Sequence, residues 1–225
     1  MLIVLNNKSS FNVDKFSEYL LELDKIKKKE SLILCPSFCY LPFCIDKDIT
    51  IGSQDVSMKD SSFATGEITA KQLKSLGVEY TLVGHADRDE SVDMVKTKVK
   101  NLLSVGINPI LCVGEDNEDS SIDNIKKDLL ARLNYIMSDL KLEEREKIII
   151  AYEPKWAINV DVELNTKDIS TIVEFIHHIF INNKILYGGG VTIDNYKYLE
   201  KIEYLDGVLV GRFGNKIDNL KEVLK

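Results

Sequence analysis

The sequence predicts an α/β protein folded as one closed (β/α)8 barrel, a single domain that spans residues 1–225. Eight short apolar segments alternate along the chain with segments of helical spacing, which is the pattern of strands that are each followed by a helix. The competing fold, a doubly wound open sheet, normally carries a G-x-G-x-x-G turn after its first strand. Here the first apolar segment ends at Asn6 without such a turn, and no linker or low-complexity stretch divides the chain.

The predicted strands are short runs of apolar residues, as expected for parallel strands that are buried on both faces. Several of them stop at a residue that ends strand pairing, such as Pro36 after the second run and Gly211 after the eighth. In chain order, the strands are predicted at residues 2–6, 32–35, 49–52, 80–84, 109–113, 147–152, 184–187 and 205–210.

Helices are predicted where apolar residues recur every three or four positions. In the first helix these residues are Phe16, Tyr19, Leu20, Leu23 and Ile26. In chain order, the helices are predicted at residues 14–29, 69–76, 92–105, 121–140, 166–181, 194–201 and 217–224.

The composition is that of an ordinary soluble globular protein, with 44% hydrophobic and 29% charged residues. A formal net charge of -7 disfavours nucleic acid as a partner, because nucleic-acid-binding proteins normally present a basic face. No apolar run reaches the roughly 18 residues that span a bilayer, so no membrane association is expected. The first residues lack the basic start and the cleavage site of a signal peptide. We therefore expect a cytoplasmic protein.

Three of the four cysteines, Cys35, Cys39 and Cys44, are close together in the sequence. Their spacing is not the paired C-x2-C of zinc sites, and Cys112 lies within an apolar strand. We therefore expect reduced, buried thiols that pack as small hydrophobic side chains, and no metal site.

In a (β/α)8 barrel the functional side chains lie at the carboxyl ends of the strands. Here those ends carry an amide, two cations, an imidazole, a carboxylate and two glycine turns. In chain order they are Asn6 and Lys8 after the first strand, His85 after the fourth, Glu153 after the sixth, the glycines up to Gly190 after the seventh, and Gly211 and Arg212 after the eighth. Glycine turns let backbone N–H groups approach an anion, and a carboxylate with an imidazole suits proton transfer next to a carbonyl. This set predicts an aldose–ketose isomerase that acts on a small sugar phosphate.

The segment 151–157 contains the carboxylate on which this prediction depends. An apolar strand ends at Glu153, Pro154 stops strand pairing, and the single tryptophan, Trp156, follows. This order is typical of a catalytic base under a lid. The alternative is a strand-end glutamate on a surface turn, and the segment alone does not decide between the two.

Motifs along nearly the whole chain resemble those of the triosephosphate isomerase family, in the same order. The most specific is Ala-Tyr-Glu-Pro-Lys-Trp-Ala-Ile at residues 151–158, which is similar to the family's A-Y-E-P-x-W-A-I. The others are residues 6–8 (N-W-K in the family), 52–57 and 65–67 (its third-strand and dimer-loop segments), 83–88 (G-H-S-E-R), 112–115 (C-[IV]-G-E), 187–190 (Y-G-G-S) and 206–211 (D-G-x-L-V-G). The resemblance implies the TIM-barrel fold.

The resemblance also implies catalytic roles. Glu153 is implied to be the base, His85 the neutral group that polarises the carbonyl oxygen, and Lys8 the cation that stabilises the enediolate. Triosephosphate isomerase is itself a well-described example of this glutamate and histidine pairing, so these roles follow from the family and not from spacing. No cofactor and no metal are implied.

Contacts to the substrate are implied for residues of the strand ends and of the lid, residues 154–163, which excludes water when it closes. They are Asn6, Lys8, Asn159, Gly190 and Gly211.

The chain departs from the family pattern near the site. Asn7 and Ala86 stand where the family has Trp and Ser, and Asp87 is one methylene shorter than the family's Glu, so that a contact to Lys8 has to span a longer gap. In the lid, Asn159 and Asp161 replace two glycines, and Asp161 adds negative charge near the expected phosphate.

The predicted phosphate-binding loops also differ. Gly190 replaces a Ser, which removes one hydroxyl donor worth about 0.5–1.5 kcal/mol. Arg212 replaces a Gly, and we hypothesise that its guanidinium supplies a charged contact that offsets the missing hydroxyl.

Two other functions stay open: an isomerase of four-carbon sugar phosphates, and a non-catalytic barrel with a binding role. The resemblance also implies a homodimer, in which the loop at residues 55–66, with Thr65 at its tip, inserts into the partner next to its catalytic lysine. A tetramer is the alternative assembly.

Overall fold

The computed structural model describes residues 1–26, 31–60, 63–158 and 165–224 and shows a closed barrel of parallel strands. The strands are β1 (Leu2–Asn6), β2 (Leu32–Cys35), β3 (Thr50–Ser53), β4 (Tyr80–Val83), β5 (Asn108–Val113), β6 (Ile149–Tyr152), β7 (Ile185–Tyr187) and β8 (Gly207–Val210). Each strand pairs with the next one in sequence, and β8 pairs with β1, so the predicted fold class is confirmed.

Helices connect the strands on the outside of the barrel. They are α1 (Val13–Leu23), α2 (Ala70–Ser75), α3 (Val92–Ser104), α4 (Ile122–Met137), α5 (Leu142–Arg145), α6 (Thr166–Ile179), α7 (Ile193–Leu199) and α8 (Ile217–Val223). Two 3₁₀ segments, Phe38–Cys44 after β2 and Lys155–Ala157 after β6, complete the described secondary structure. Neither 3₁₀ segment nor the short α5 was predicted, because such short segments have little periodicity.

Most helices begin where the sequence supplies a side-chain cap. At each such position the side-chain oxygen accepts a hydrogen bond from the backbone N–H three residues later, which replaces a bond that the first turn cannot make. The capping residues are Asn12, Thr69, Ser91, Ser121, Asn165 and Thr192.

The prediction for the first helix was too long. It extended to residue 29, whereas α1 ends at Leu23 and the chain turns at Asp24 and Lys25. Ile26 fits the helical spacing but reaches the core from this turn, which explains the error. Residues 27–29 lie outside the described part of the chain. The other predicted helices and strands have bounds close to the observed ones.

The strands bury side chains on both faces, as their continuous apolar runs predicted. One set of side chains fills the barrel interior, and a larger set packs between the strands and the helices. The interior set is Val4, Ile33, Cys35, Leu82, Ile110, Cys112, Ile149, Ala151, Leu186 and Leu209.

The cysteine prediction is correct for three thiols and wrong for one. All four are free, and Cys35, Cys44 and Cys112 are buried, but Cys39 is exposed. In the 3₁₀ segment every third residue faces the same way, so Leu41 and Cys44 point inward while Cys39 points out. None of the helices in the described ranges is long and apolar enough to cross a membrane.

Candidate active site

A cavity opens at the carboxyl ends of the barrel strands. Every predicted site residue within the described ranges lines it, namely Asn6, Lys8, His85, Glu153, Gly190, Gly211 and Arg212. Asn159, the remaining one, lies outside the described residues, as does Asp161. Residues from five different strand ends are therefore brought together around one space.

Glu153 is fixed by the backbone on both sides of it. Its N–H donates to the carbonyl of Val113 (2.8 Å), and the N–H of Gly188 donates to the carbonyl of Tyr152 (2.9 Å). Two glycines make room for it: a Cβ on Gly188 would lie 2.4 Å from the Glu153 Cγ, and a Cβ on Gly114 would lie 2.0 Å from its carbonyl oxygen. Glu153 therefore occupies a slot in which Gly188 leaves room for its side chain and Gly114 leaves room for its backbone.

The Glu153 side chain is almost completely buried, and its pKa is raised above the ordinary value for glutamate. Loss of hydration is the main cause, because burial penalises the charged form. His85, the Cys112 thiol and the Lys8 ammonium act in the opposite direction and lower the pKa. Its Oε2 atom has no hydrogen-bond partner among the described residues. A carboxylate with a raised pKa in a cavity is suited to accept a proton.

His85 faces Glu153 across the cavity, with 3.4 Å between Nε2 and Oε1. On the other side of the ring, Nδ1 accepts a hydrogen bond from the backbone N–H of Asp87 (3.0 Å). Since Nδ1 acts as the acceptor, the neutral ring carries its proton on Nε2. The imidazole thus presents an N–H donor to the cavity.

Lys8 has a left-handed backbone with φ of 49°, which is uncommon for a residue other than glycine. Three hydrogen bonds hold this conformation: the Lys8 N–H donates to the Asn6 Oδ1 (3.1 Å), and its carbonyl accepts from the Ser37 hydroxyl (2.7 Å) and the Gln54 Nε2 (2.9 Å). Residues in sparsely populated conformations persist where the surroundings over-determine them, often at functional sites.

The Lys8 ammonium forms an ion pair with Asp87, with 2.6 Å between Nζ and Oδ2. The aspartate therefore reaches the lysine although it is one methylene shorter than the family's glutamate. Because the backbone of Asp87 also binds His85, this residue connects the lysine and the imidazole.

The opposite wall of the cavity is formed by the glycine turns after β7 and β8. Gly190 has φ of +52°, and its carbonyl accepts from the Asn195 Nδ2 (2.9 Å). Gly211 lies beside Lys8, and Thr192 and Arg212 also line this wall. Lys8 and Arg212 are the cations among the described lining residues, so this side of the cavity favours an anionic group.

The first residues of the predicted lid, which form the 3₁₀ segment Lys155–Ala157, are held by Glu115, which follows β5. Its Oε1 accepts from the Trp156 Nε1 (2.9 Å) and from the Tyr152 hydroxyl (3.1 Å), while its carbonyl accepts from the N–H of Lys155 (2.9 Å). The base, Glu153, directly precedes the predicted lid in the chain. Glu115 therefore connects the last residue of β6, Tyr152, to the 3₁₀ segment that follows Glu153.

Sequence reasoning missed several residues that shape the site. Gly188 leaves space for the base, Cys112 lies beside it, and Gln54 holds the Lys8 backbone. The run of three glycines after β7 signalled a close approach of the backbone but not what approaches it. Within the described ranges, no three His, Cys, Asp or Glu side chains are arranged to hold a metal ion.

Comparison with known proteins agrees with this geometry. The family model described as triosephosphate isomerase matches residues 1–225. A curated protein named triosephosphate isomerase from Wolbachia sp. subsp. Brugia malayi is 32% identical over 229 aligned positions, which cover 100% of this chain and 96% of the relative. One with the same name from Francisella philomiragia subsp. philomiragia is 28% identical, covering 97% and 92% of the two chains. This chain belongs to the triosephosphate isomerase family and is an isomerase.

Proposed function

We propose that this protein interconverts D-glyceraldehyde 3-phosphate and dihydroxyacetone phosphate, as a step of glycolysis and gluconeogenesis. The observation that carries the proposal is the separation of 3.4 Å between the Glu153 Oε1 and the His85 Nε2 in a cavity that also holds Lys8. A base and a neutral hydrogen-bond donor at this distance can act on adjacent atoms of one small substrate. The names of the relatives support the choice of a triose phosphate.

In the proposed reaction, the Glu153 carboxylate removes a proton from the substrate carbon next to the carbonyl. The electron pair of the broken C–H bond forms the C=C bond of an enediolate, and the carbonyl oxygen becomes an oxyanion. The proton of the adjacent hydroxyl group passes to this oxyanion, which leaves the negative charge on the other oxygen. The same carboxyl group then returns its proton to the former carbonyl carbon, the C=C bond breaks, and the other oxygen forms the new C=O bond of the ketose. The raised pKa of Glu153 suits both steps, because the group has to accept the proton and release it again.

The negative charge of the enediolate has to be stabilised where it develops. The His85 Nε2–H is positioned to donate to this oxygen, and the Lys8 ammonium supplies positive charge nearby. Asn6, at the end of β1, is proposed to donate a hydrogen bond to the substrate. Each group is held by contacts that exist without substrate, which reduces the reorganisation required during the reaction.

The phosphate is proposed to bind against Gly190, Gly211 and Arg212. Asn159, in the lid, is proposed to complete this contact. The absence of a side chain on Gly190 and the presence of Arg212 distinguish this wall from the family pattern. These departures are a reason to test four-carbon sugar phosphates as alternative substrates.

The experiment is an isomerase assay of the wild type, Glu153→Gln and Glu18→Gln with three-carbon and four-carbon sugar phosphates. We expect turnover of glyceraldehyde 3-phosphate by the wild type and by Glu18→Gln, which changes an exposed glutamate of α1 in the same way. Glu153→Gln is expected to lose activity by at least about 100-fold, because the amide cannot accept the proton. Preference for a four-carbon substrate, or equal activity of the three proteins, would refute the proposal. No turnover of any substrate would favour the non-catalytic barrel.

We also propose that the chain is a single-domain, cytoplasmic protein that assembles as a homodimer. Support for the dimer comes from exposed apolar side chains on the loop after β3 and on the segment that joins β2 to β3. Phe63, two residues before Thr65, is 95% exposed, and Met58, Phe43 and Ile45 are also exposed. Large apolar side chains that face solvent are the kind of surface that a partner chain can cover.

A further inference from the structure

The turn after β8, residues 211–215, which we call the β8 turn, carries Arg212 at the edge of the active-site cavity. Its backbone closes on itself through the Gly214 N–H, which donates to the Gly211 carbonyl (3.0 Å). The Arg212 side chain is exposed and lines the cavity, whereas the next residue, Phe213, is buried. The place of the guanidinium therefore depends on how the β8 turn is fixed to the rest of the barrel.

Two buried polar side chains bind the β8 turn without lining the cavity. The Asn7 Nδ2 donates to the Asn215 Oδ1 (2.8 Å), and the Tyr19 hydroxyl, on α1, donates to the Gly214 carbonyl (2.8 Å). Asn7 is 2% exposed and Tyr19 is 5% exposed. Hydrogen bonds between buried groups restrict a structure strongly, because a group that leaves its partner finds no water to replace it. The β8 turn is thus fixed at two neighbouring residues.

Asn7 also joins the β8 turn to Lys8, the other cation among the described lining residues. It directly precedes Lys8, and its own N–H donates to the Cys35 carbonyl of β2 (3.2 Å). The hydrogen bond to Asn215 spans 208 positions of the chain, so it connects the end of the first strand to the turn after the last. The separation of the Lys8 and Arg212 backbones is therefore set in part by this bond.

Stability alone does not account for an asparagine at position 7. Asn7 is buried, and its Oδ1 has no hydrogen-bond partner among the described residues. An apolar side chain would fill this space without that cost, and the family pattern has a Trp here. Arg212 departs from the family pattern as well, and the bond to Asn215 links the two departures. A buried unsatisfied atom calls for an explanation, and fixing the turn that carries Arg212 supplies one.

We propose that Asn7 and Tyr19 are positioning residues, which hold the β8 turn where Arg212 contacts the phosphate of a substrate whose reacting end lies beside Lys8. This inference rests on the proposed isomerase function and on the phosphate contact proposed for Arg212. Without either hydrogen bond the turn spends part of its time in other positions, and the apparent affinity falls with the fraction of competent molecules. Once the substrate is bound the turn is in place, so kcat changes little.

The mildest test removes one oxygen atom. Tyr19→Phe keeps the buried ring but deletes the donor to Gly214. We expect KM for glyceraldehyde 3-phosphate to rise about threefold to tenfold, with kcat within about twofold of the wild-type value. Tyr40→Phe is the matched control, because it deletes a hydroxyl that donates to the Phe11 carbonyl (3.0 Å) and not to the β8 turn. An unchanged KM in Tyr19→Phe, or an equal rise in both variants, would overturn the proposal.

Asn7→Ala tests the second bond and is expected to raise KM to a similar extent. The control is Asn183→Ala, which removes another buried amide, one that donates to the carbonyls of Arg145 and Ile148 at the opposite end of the barrel. Both changes should lower stability, but only Asn7→Ala should raise KM. Should Asn7→Ala fail to fold, Asn215→Ala removes the acceptor of the same bond. KM values equal to that of Asn183→Ala would contradict the positioning role.

A double-mutant cycle shows whether Asn7 acts through Arg212 or through its neighbour Lys8. In an Arg212→Ala background the β8 turn no longer carries the group to be placed. Asn7→Ala and Tyr19→Phe are therefore expected to raise KM by less than about twofold in that background. Effects as large as those in the wild-type background would place the action of these residues elsewhere and overturn the proposal.

Inorganic phosphate separates this inference from the proposed function. The rise of Tm with phosphate concentration measures phosphate affinity without any turnover. We expect phosphate to bind the wild type and Tyr40→Phe equally, and Tyr19→Phe about threefold to tenfold more weakly. A wild type without isomerase activity would refute the proposed function, while weaker phosphate binding by Tyr19→Phe would still support the positioning role. Equal phosphate affinity of all three proteins, or none in the wild type, would overturn the inference.

Discussion

Glu153 is proposed to be charged when it acts, yet it is held where charge is disfavoured. Burial raises its pKa, and His85, the Cys112 thiol and Lys8 limit the rise. The balance among these neighbours sets the pH range in which the carboxylate can act as a base. Activity is therefore expected to fall as the pH drops through the raised pKa of Glu153.

Changing Cys112 should move this limit in a predictable direction. The thiol lowers the pKa of Glu153, so Cys112→Ala is expected to shift the acid limb of the pH profile of kcat/KM to higher pH. Cys44→Ala removes a buried thiol that belongs to the outer core, and it should leave the limb unchanged. The measurement is the pH dependence of kcat/KM for the three proteins, and an identical acid limb in all three would contradict the prediction.

The same burial predicts that Glu153→Gln is more stable than the wild type at alkaline pH. A carboxyl group whose pKa is raised by folding contributes stability below its unfolded pKa, and this contribution is lost as the pH rises through its folded pKa. At a pH above its folded pKa, the ionised Glu153 therefore destabilises the fold, and the neutral amide removes that cost. We expect Glu153→Gln to have a higher Tm than the wild type, by about 2–4 °C for each kcal/mol of added unfolding free energy. This difference in Tm should shrink as the pH is lowered. Thermal unfolding at several pH values checks this, with Glu18→Gln as the control.

Arg212 is the charged residue among the three strand-end residues that are proposed to bind the phosphate. Arg212→Ala is expected to raise KM by about tenfold or more with a smaller change in kcat, because a charged hydrogen bond is worth about 1.5–3 kcal/mol. Lys216→Ala removes the same charge from a residue that does not line the cavity and should leave KM unchanged. Steady-state kinetics with glyceraldehyde 3-phosphate distinguish these outcomes, and equal KM values would refute a phosphate contact by Arg212.

At the scale of the secondary-structure elements, the turn after β7 determines the position of the Glu153 side chain. Gly188→Ala places a Cβ within 2.4 Å of the Glu153 Cγ and 2.8 Å of its Oε1. The carboxylate has to move, and we expect kcat to fall by about 100-fold, since a displacement of 1 Å is enough for such a loss.

A glycine in another turn provides the control for this prediction. Gly77, after α2, has φ of +78° with no atom within 4 Å of an added Cβ. Gly77→Ala should therefore cost about 1–2 kcal/mol of stability from the left-handed backbone and leave kcat unchanged. Activity and denaturant unfolding of both variants are the measurements. A fully active Gly188→Ala would show that the turn adapts and that the slot is not required.

At the scale of the whole molecule, the proposed dimer depends on the loop after β3. Phe63→Glu replaces the most exposed large apolar side chain of that loop with a charge and is expected to give a monomer of reduced activity. Leu142→Glu introduces the same charge at an exposed apolar residue of α5 and should not alter the assembly. Light scattering after size-exclusion chromatography measures both masses. A dimeric Phe63→Glu would place the interface elsewhere.

The sequence was informative wherever a local pattern has one structural meaning. Alternating apolar strands and capped helices predicted the barrel, and the strand ends predicted seven residues that line one cavity. The sequence was uninformative where one pattern is compatible with two different structures. Ile26 fits a helix but packs from a turn, and Cys39 belongs to a cysteine cluster but faces solvent.

The amino-acid sequence by itself determined the order of the elements and the residue types at the mouth of the barrel, because periodicity and chain breaks act over a few neighbouring residues. Only the tertiary structure decided that the His85 ring presents its Nε2–H to the cavity beside Glu153, that Asp87 reaches Lys8, and that Gly188 leaves the space the base occupies. These contacts join residues that are far apart in the chain. Their distances are set by closure of the barrel, which no local pattern encodes.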